Sequence, residues 1–241
     1  MHLGFEALAY AVGFALYRRL RRERGDFLAD GTRWTMVVAV VLGAALGAKV
    51  LHHAAHPGEL LERWREPAVW LGGKTIVGAL LGGWIAVELV KRRLGVRRAT
   101  GDLYALPLVV GIAIGRVGCF LGGSVDGTYG VATALPWGVD FGDGVARHPT
   151  QLYEILFLLG LGVVLVRRRG RARAEGADFR LFLAAYLAFR LLVDGWKPAP
   201  RLVGLGAIQW AALAGLAWYG RDALRRLRLG RAAARTAVGE R

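Results

Sequence analysis

The chain has 241 residues, 55% of them hydrophobic, a mean hydropathy of +0.37 and a formal charge of +15. It carries more apolar side chain than one soluble core of this size usually buries, which argues against a water-soluble domain. The basic excess alone would suit nucleic acid, but the charges fall in alternate loops between apolar segments, and that pattern calls for a different reading.

In chain order the apolar stretches run Leu3–Tyr17, Trp34–Leu51, Ala68–Val90, Leu103–Gly122, Thr150–Val166, Phe179–Trp196 and Val203–Tyr219. Each is close to the roughly 17 to 25 residues that a spanning helix needs. The expected fold is an all-α integral membrane protein with about seven transmembrane helices, forming a single polytopic domain over residues 1–241. The first stretch has no basic residue ahead of it and five arginines from Arg18 to Arg24 behind it, so it reads as a retained span and not a cleavable signal peptide.

Residues 18–33, 91–102, 167–180 and a tail from about Arg221 hold 24 of the 33 Lys and Arg. The opposite side holds five: Arg63, Arg65, Arg147, Lys197 and Arg201. The positive-inside rule then places the N-terminus outside and the C-terminus in the cytoplasm, with a small outer-face loop region at about 123–148. The basic loops become topology signals that touch anionic membrane lipids, and no nucleic-acid partner is expected. The lone Cys119 excludes an internal disulfide. His52, His53 and His56 read as the wet end of the second span; no metal site is expected.

Eight charges remain within the spans: Lys49, Lys74, Arg116 and Arg190 against Glu6, Glu88, Glu154 and Asp194. An arginine at the centre of a spanning helix costs roughly 2.5 to 3.5 kcal/mol on insertion scales, so Arg116, bracketed by Gly115 and Gly118, needs a partner or a wet cavity. At about 1.5 Å per residue, Arg116, Arg190, Glu154, Glu6, Lys49 and Lys74 all fall in the outer half of the bilayer. A mainly cationic cavity opening to the outer leaflet follows, suited to an anionic lipid headgroup. Tyr186, Arg190 and Asp194 recur at i, i+4 and i+8 on one helix face, so Asp194 can pair with Arg190. Pro149 opens the fifth span, and Gln151 and Glu154 sit one turn apart behind it. Structural readings stand beside these: an interhelical ion pair of the arginines with Glu154 or Asp194, Cys119 as a small packing residue, Gly78-x3-Gly82 as helix packing, and Asp140 and Asp143 as turn formers.

The ordered segments Gly115-Arg116-Val117-Gly118-Cys119-Phe120, Leu135-Pro136-Trp137-Gly138-Val139, Arg147-His148-Pro149-Thr150-Gln151-Leu152-Tyr153-Glu154 and Tyr186-x3-Arg190-x3-Asp194 together resemble the signature of the bacterial prolipoprotein diacylglyceryl transferases. The resemblance implies transfer of the diacylglyceryl group of phosphatidylglycerol to the lipobox cysteine of a preprolipoprotein signal peptide. The reaction would take place at the outer face of the bacterial cytoplasmic membrane, release glycerol phosphate and need no cofactor. It further implies that Arg116 and Arg190 hold the phospholipid and that Glu154, Gln151 and His148 orient the headgroup or relay a proton. Tyr186 and Asp194 would position Arg190, and Gly115, Gly118, Cys119, Gly130 and Tyr153 would complete the substrate-binding set.

The chain departs from the family pattern at several places. Cys119 stands where an asparagine is expected, Glu6 where a tyrosine is expected, and Val77-Gly78-Ala79 where the family has His-Gly-Gly. Asp126-Gly127-Thr128-Tyr129-Gly130 matches its element only with an insertion. With the histidine gone, Lys74 is the expected substitute base, since a desolvated lysine can lose its proton near neutral pH. The departures also leave open a related phosphatidylglycerol-dependent transferase with another acceptor, or a non-catalytic lipid-binding or transport protein.

Overall fold

In the computed structural model, residues 2–170 and 174–221 are described. The expected basic tail lies outside them except for Arg221. The described residues are mostly helical: α1 (His2–Arg24), α2 (Asp30–Ala55), α3 (Pro57–Arg63), α4 (Pro67–Leu71), α5 (Ile76–Arg93), α6 (Asp102–Leu121), α7 (Thr150–Arg167) and α8 (Ala177–Val193). A last helix, α9, opens at residue 207 and is described to residue 221. Among the described helices α2, α6 and α7 are long and apolar enough to cross a membrane.

The helices follow the expected stretches with two instructive differences. The third stretch is interrupted: α4 ends at Leu71, Gly73 takes a positive φ of 58°, and α5 starts only at Ile76, where the Thr75 hydroxyl accepts from Gly78 N at 3.3 Å. Paired glycines followed by a threonine cap stop one helix and start another within a run that hydropathy reads as continuous. The seventh stretch likewise begins as a two-strand hairpin, β3 (Arg201–Leu202) with β4 (Leu205–Gly206), turning through Val203 and Gly204 at positive φ. Ahead of it, β1 (Val139–Asp140) pairs antiparallel with β2 (Ala146–Arg147) in the predicted outer-face loop. Asp140 Oδ1 accepts from the backbone N–H of Gly142, Asp143 and Gly144, the turn-forming role expected of it.

α6 is the hub, packing against α1, α7 and α8, while α2 packs chiefly on α5. The apolar core gathers around α8, where Phe182, Leu183 and Leu187 meet Leu158 and Leu161 of α7, Val109 of α6 and Val77 of α5. At the start of α6, Asp102 accepts from the N–H groups of Gly176, Asp178 and Phe179 at 2.7 to 3.0 Å, so one carboxylate caps the neighbouring α8 and fixes it against α6. Much of α2 is exposed, with Trp34, Val38, Val41, Leu42 and Leu46 facing outward, as a helix in contact with lipid requires.

The α2–α5 seam is made of glycines. A methyl group on Gly43 or Gly47 would run into the backbone of Gly82 or Gly78, and one on Gly78 or Gly82 into the carbonyls of Gly47 or Gly43. The Gly78-x3-Gly82 spacing therefore serves close helix packing. Gly47→Ala is expected to destabilise the protein by about 1 to 3 kcal/mol through overpacking, while Gly160→Ala, inside α7 with nothing within 4 Å, keeps stability or raises it by up to about 1 kcal/mol through the better helix propensity of alanine; thermal unfolding in detergent compares them.

Candidate functional site

Three helices deliver a chain of buried polar side chains to one place. Arg116 comes from the last turns of α6, Glu154 from the second turn of α7, and Tyr186 and Arg190 from successive turns of α8; Asp194 follows in the 3-10 turn Asp194–Trp196. Arg116 Nε lies 2.9 Å from Glu154 Oε2, although its N–H is not aligned on that oxygen. The Tyr186 hydroxyl donates to Glu154 Oε1 at 2.6 Å and accepts from Arg190 Nη1 at 3.5 Å. Arg190 closes a two-pronged contact on Asp194, Nε to Oδ2 at 3.0 Å and Nη2 to Oδ1 at 2.7 Å. All five side chains are buried. The i, i+4, i+8 spacing on α8 thus does what it predicts, and the open choice of partner for Arg116 resolves to Glu154 on another helix.

Next to this chain stand two further features. Gln151, 1% exposed, has neither amide atom in a hydrogen bond with the protein, so a buried donor and acceptor stand unpartnered one turn from Glu154 along α7. Lys197 is folded back by the 3-10 turn until its Nζ lies 3.8 Å from Asp194 Oδ1. The group therefore holds three cations, Arg116, Arg190 and Lys197, against two carboxylates, Glu154 and Asp194, an excess of one positive charge. Lys197 is the residue the sequence did not single out, because loop counting assigned it to the outer surface; its spacing of three from Asp194 and seven from Arg190 was the available signal.

The other expected residues divide into groups. Cys119 is buried and its Sγ lies 3.7 Å from Arg116 Nη1. Gly118 lets α1 approach, since a methyl there would meet the Phe5 side chain, and Gly115 presents an open side. His148, Tyr153 and Gly130 belong to an aromatic layer over the cluster: His148 Nδ1 is 3.2 Å from the Tyr153 hydroxyl, which also accepts from Trp137 Nε1 at 3.0 Å, and the imidazole stacks on Trp196. Gly130 N donates to His148 O at 2.9 Å, where a side chain would strike the Trp196 carbonyl. Lys74 is not brought into the cluster; it is 63% exposed and pairs with Glu6 of α1. Val77 is fully buried in the apolar core.

Residues 3–219 match the family described as prolipoprotein diacylglyceryl transferase. The chain belongs to that family. A relative from Geobacter sulfurreducens named phosphatidylglycerol–prolipoprotein diacylglyceryl transferase is 34% identical over 228 residues, covering 85% of this chain and 82% of the relative. Relatives of the same name from Bordetella bronchiseptica and Cupriavidus necator are 34% and 31% identical, each covering more than four fifths of both chains. The arginines and carboxylates assembled here fall within the matched residues.

The Arg116–Glu154 pair can be dissected directly. Glu154→Leu strands a guanidinium in an apolar environment and is expected to cost about 3 to 5 kcal/mol. Adding Arg116→Met recovers most of that loss, measured by equilibrium unfolding as a double-mutant cycle, because two buried charges are exchanged for packed apolar groups.

Proposed function

We propose that the chain transfers the diacylglyceryl group of phosphatidylglycerol to the cysteine thiol of a lipobox-containing preprolipoprotein signal peptide, releasing glycerol phosphate. The observation that carries this reading is the buried cluster with one excess positive charge and an unpartnered amide beside it. A phosphodiester brings one negative charge and acceptor oxygens, which is what three cations, two carboxylates and a free Gln151 amide ask for. Family membership and the names of the relatives support the same reaction.

In this scheme Arg116 and Arg190 grip the phosphate, and their hold strengthens as the C–O bond breaks and charge gathers on the leaving group. Glu154 and Asp194 fix the two guanidinium planes, and Tyr186 keys them to each other. Gln151 binds the glycerol hydroxyls or a phosphate oxygen, and His148, with Tyr153 and Gly130 behind it, closes the outer side. We further propose seven spans with the N-terminus outside, in the bacterial cytoplasmic membrane, the cluster facing the outer leaflet. The distribution of Lys and Arg, 24 against five between the two sets of loops, supports that orientation.

In nanodiscs containing phosphatidylglycerol, the protein is expected to convert a lipobox peptide to its diacylglyceryl thioether with release of glycerol phosphate, read by mass spectrometry. Arg116→Ala and Arg190→Ala each reduce product at least 100-fold. Glycerol phosphate without modified peptide would identify another acceptor, and intact lipid would remove the transferase reading.

A further inference from the structure

Transfer to a thiol requires something to take the thiol's proton, and the cluster offers few acceptors. Arginine does not give up its proton in proteins, so Arg116 and Arg190 cannot act, and His148 is engaged in the aromatic layer, its Nδ1 3.2 Å from the Tyr153 hydroxyl and its ring stacked on Trp196. Glu154 already accepts from Tyr186 and faces Arg116, and both oxygens of Asp194 are taken by the Arg190 fork. Position 77, where the family pattern has histidine, holds a valine sealed in the apolar core. Lys74, 63% exposed and tied to Glu6, lacks the burial that a desolvated lysine base depends on.

Lys197 has it. Its side chain is 17% exposed, and the peptide that leads into it is held at both its polar groups, Lys197 N donating to Asp194 O at 3.2 Å and Trp196 O accepting from Val131 N at 2.7 Å. The amine feels Arg116 from α6, Glu154 from α7, Arg190 from α8 and Asp194 of its own turn, and Lys197 follows directly on Trp196, which stacks on His148. We propose that Lys197 is the general base of the transfer, an assignment that rests on the transferase reading above. The neutral amine takes the proton as the S–H bond breaks. The thiolate attacks the glycerol carbon that bears the phosphate, forming S–C as C–O breaks, and the bond electrons pass to the phosphate oxygen held by Arg116 and Arg190. The ammonium then returns its proton to that phosphate, and glycerol phosphate leaves with the amine restored.

Burial, with the two arginines adding to it and the carboxylates opposing, lowers the Lys197 amine to about 8. At pH 7 roughly a tenth of it is neutral, and it lies close to the ordinary thiol value of about 8.5, the match that proton transfer favours.

The test follows kcat/KM for thioether formation against pH in phosphatidylglycerol nanodiscs, with a lipobox peptide, for wild type, Lys197→Arg, Lys197→His and Lys74→Met. Wild type is expected to gain about tenfold per pH unit below 7.5 and to level off above about 8. Lys197→Arg, which keeps the charge but cannot accept a proton, loses at least 100-fold at every pH. Lys197→His retains turnover with the rising limb moved to lower pH, a change that a purely structural lysine would not produce, and Lys74→Met follows wild type. Competitive acetylation of the wild-type protein, read at Lys197 by mass spectrometry, gives a midpoint near 8 without relying on turnover. Lys197→Arg turning over along the wild-type limb, or a Lys74→Met that alone abolishes it, overturns the assignment. Wild type making no thioether at any pH fails earlier, at the transferase reading, and takes this assignment with it.

Discussion

Charge neutralisation inside an apolar bundle is the constraint on which this molecule turns. A guanidinium or carboxylate left alone in such surroundings costs several kcal/mol, so the packed bundle has to bring Arg116 to Glu154 and Arg190 to Asp194. Because they come from α6, α7, α8 and the turn after it, their pairing dictates which faces those helices turn inward. Tyr186 makes the two pairs one unit, giving a hydrogen bond to Glu154 and receiving one from Arg190.

The rest of the architecture supports that unit from three directions. Beneath it, Phe182, Leu183 and Leu187 lock α8 into the apolar core, and at the far end of α6 the Asp102 carboxylate caps α8. Above it, the layer of His148, Tyr153, Trp137 and Trp196 is tied by backbone bonds to residues 130–131. To the side, α2 and α5 form a close pair of their own along facing glycines and carry much of the apolar surface that meets the lipid. Gly118 gives α1 its approach to α6 next to Arg116.

Much of this is legible in the residues alone. Hydropathy locates the long helices, though α1 runs on to Arg24, seven residues past Tyr17, and the α8 spacing announces the Arg190–Asp194 pair. The interruption at Gly72–Gly73 is not legible in hydropathy, since glycine counts as neutral there while its backbone freedom ends a helix. Arg116 had two carboxylates to choose from, and only the packing of α6 on α7 decides for Glu154. Lys197 is the clearest omission: topology counting treats every basic residue beyond a span as solvated, whereas one 3-10 turn is enough to fold it back against Asp194 and leave it 17% exposed. Lys74 illustrates the converse, a lysine placed inside a span by helical rise that ends 63% exposed and paired with Glu6.

The odd charge in the cluster reaches beyond catalysis. Two buried guanidiniums and the partly buried Lys197 amine against two buried carboxylates leave one positive charge uncompensated until an anion enters, and an anion that binds the native state and not the unfolded one stabilises it by mass action. The durability of the protein thereby becomes linked to the anionic fraction of the surrounding bilayer. A membrane depleted of such lipid both starves the site and loosens the bundle that forms it.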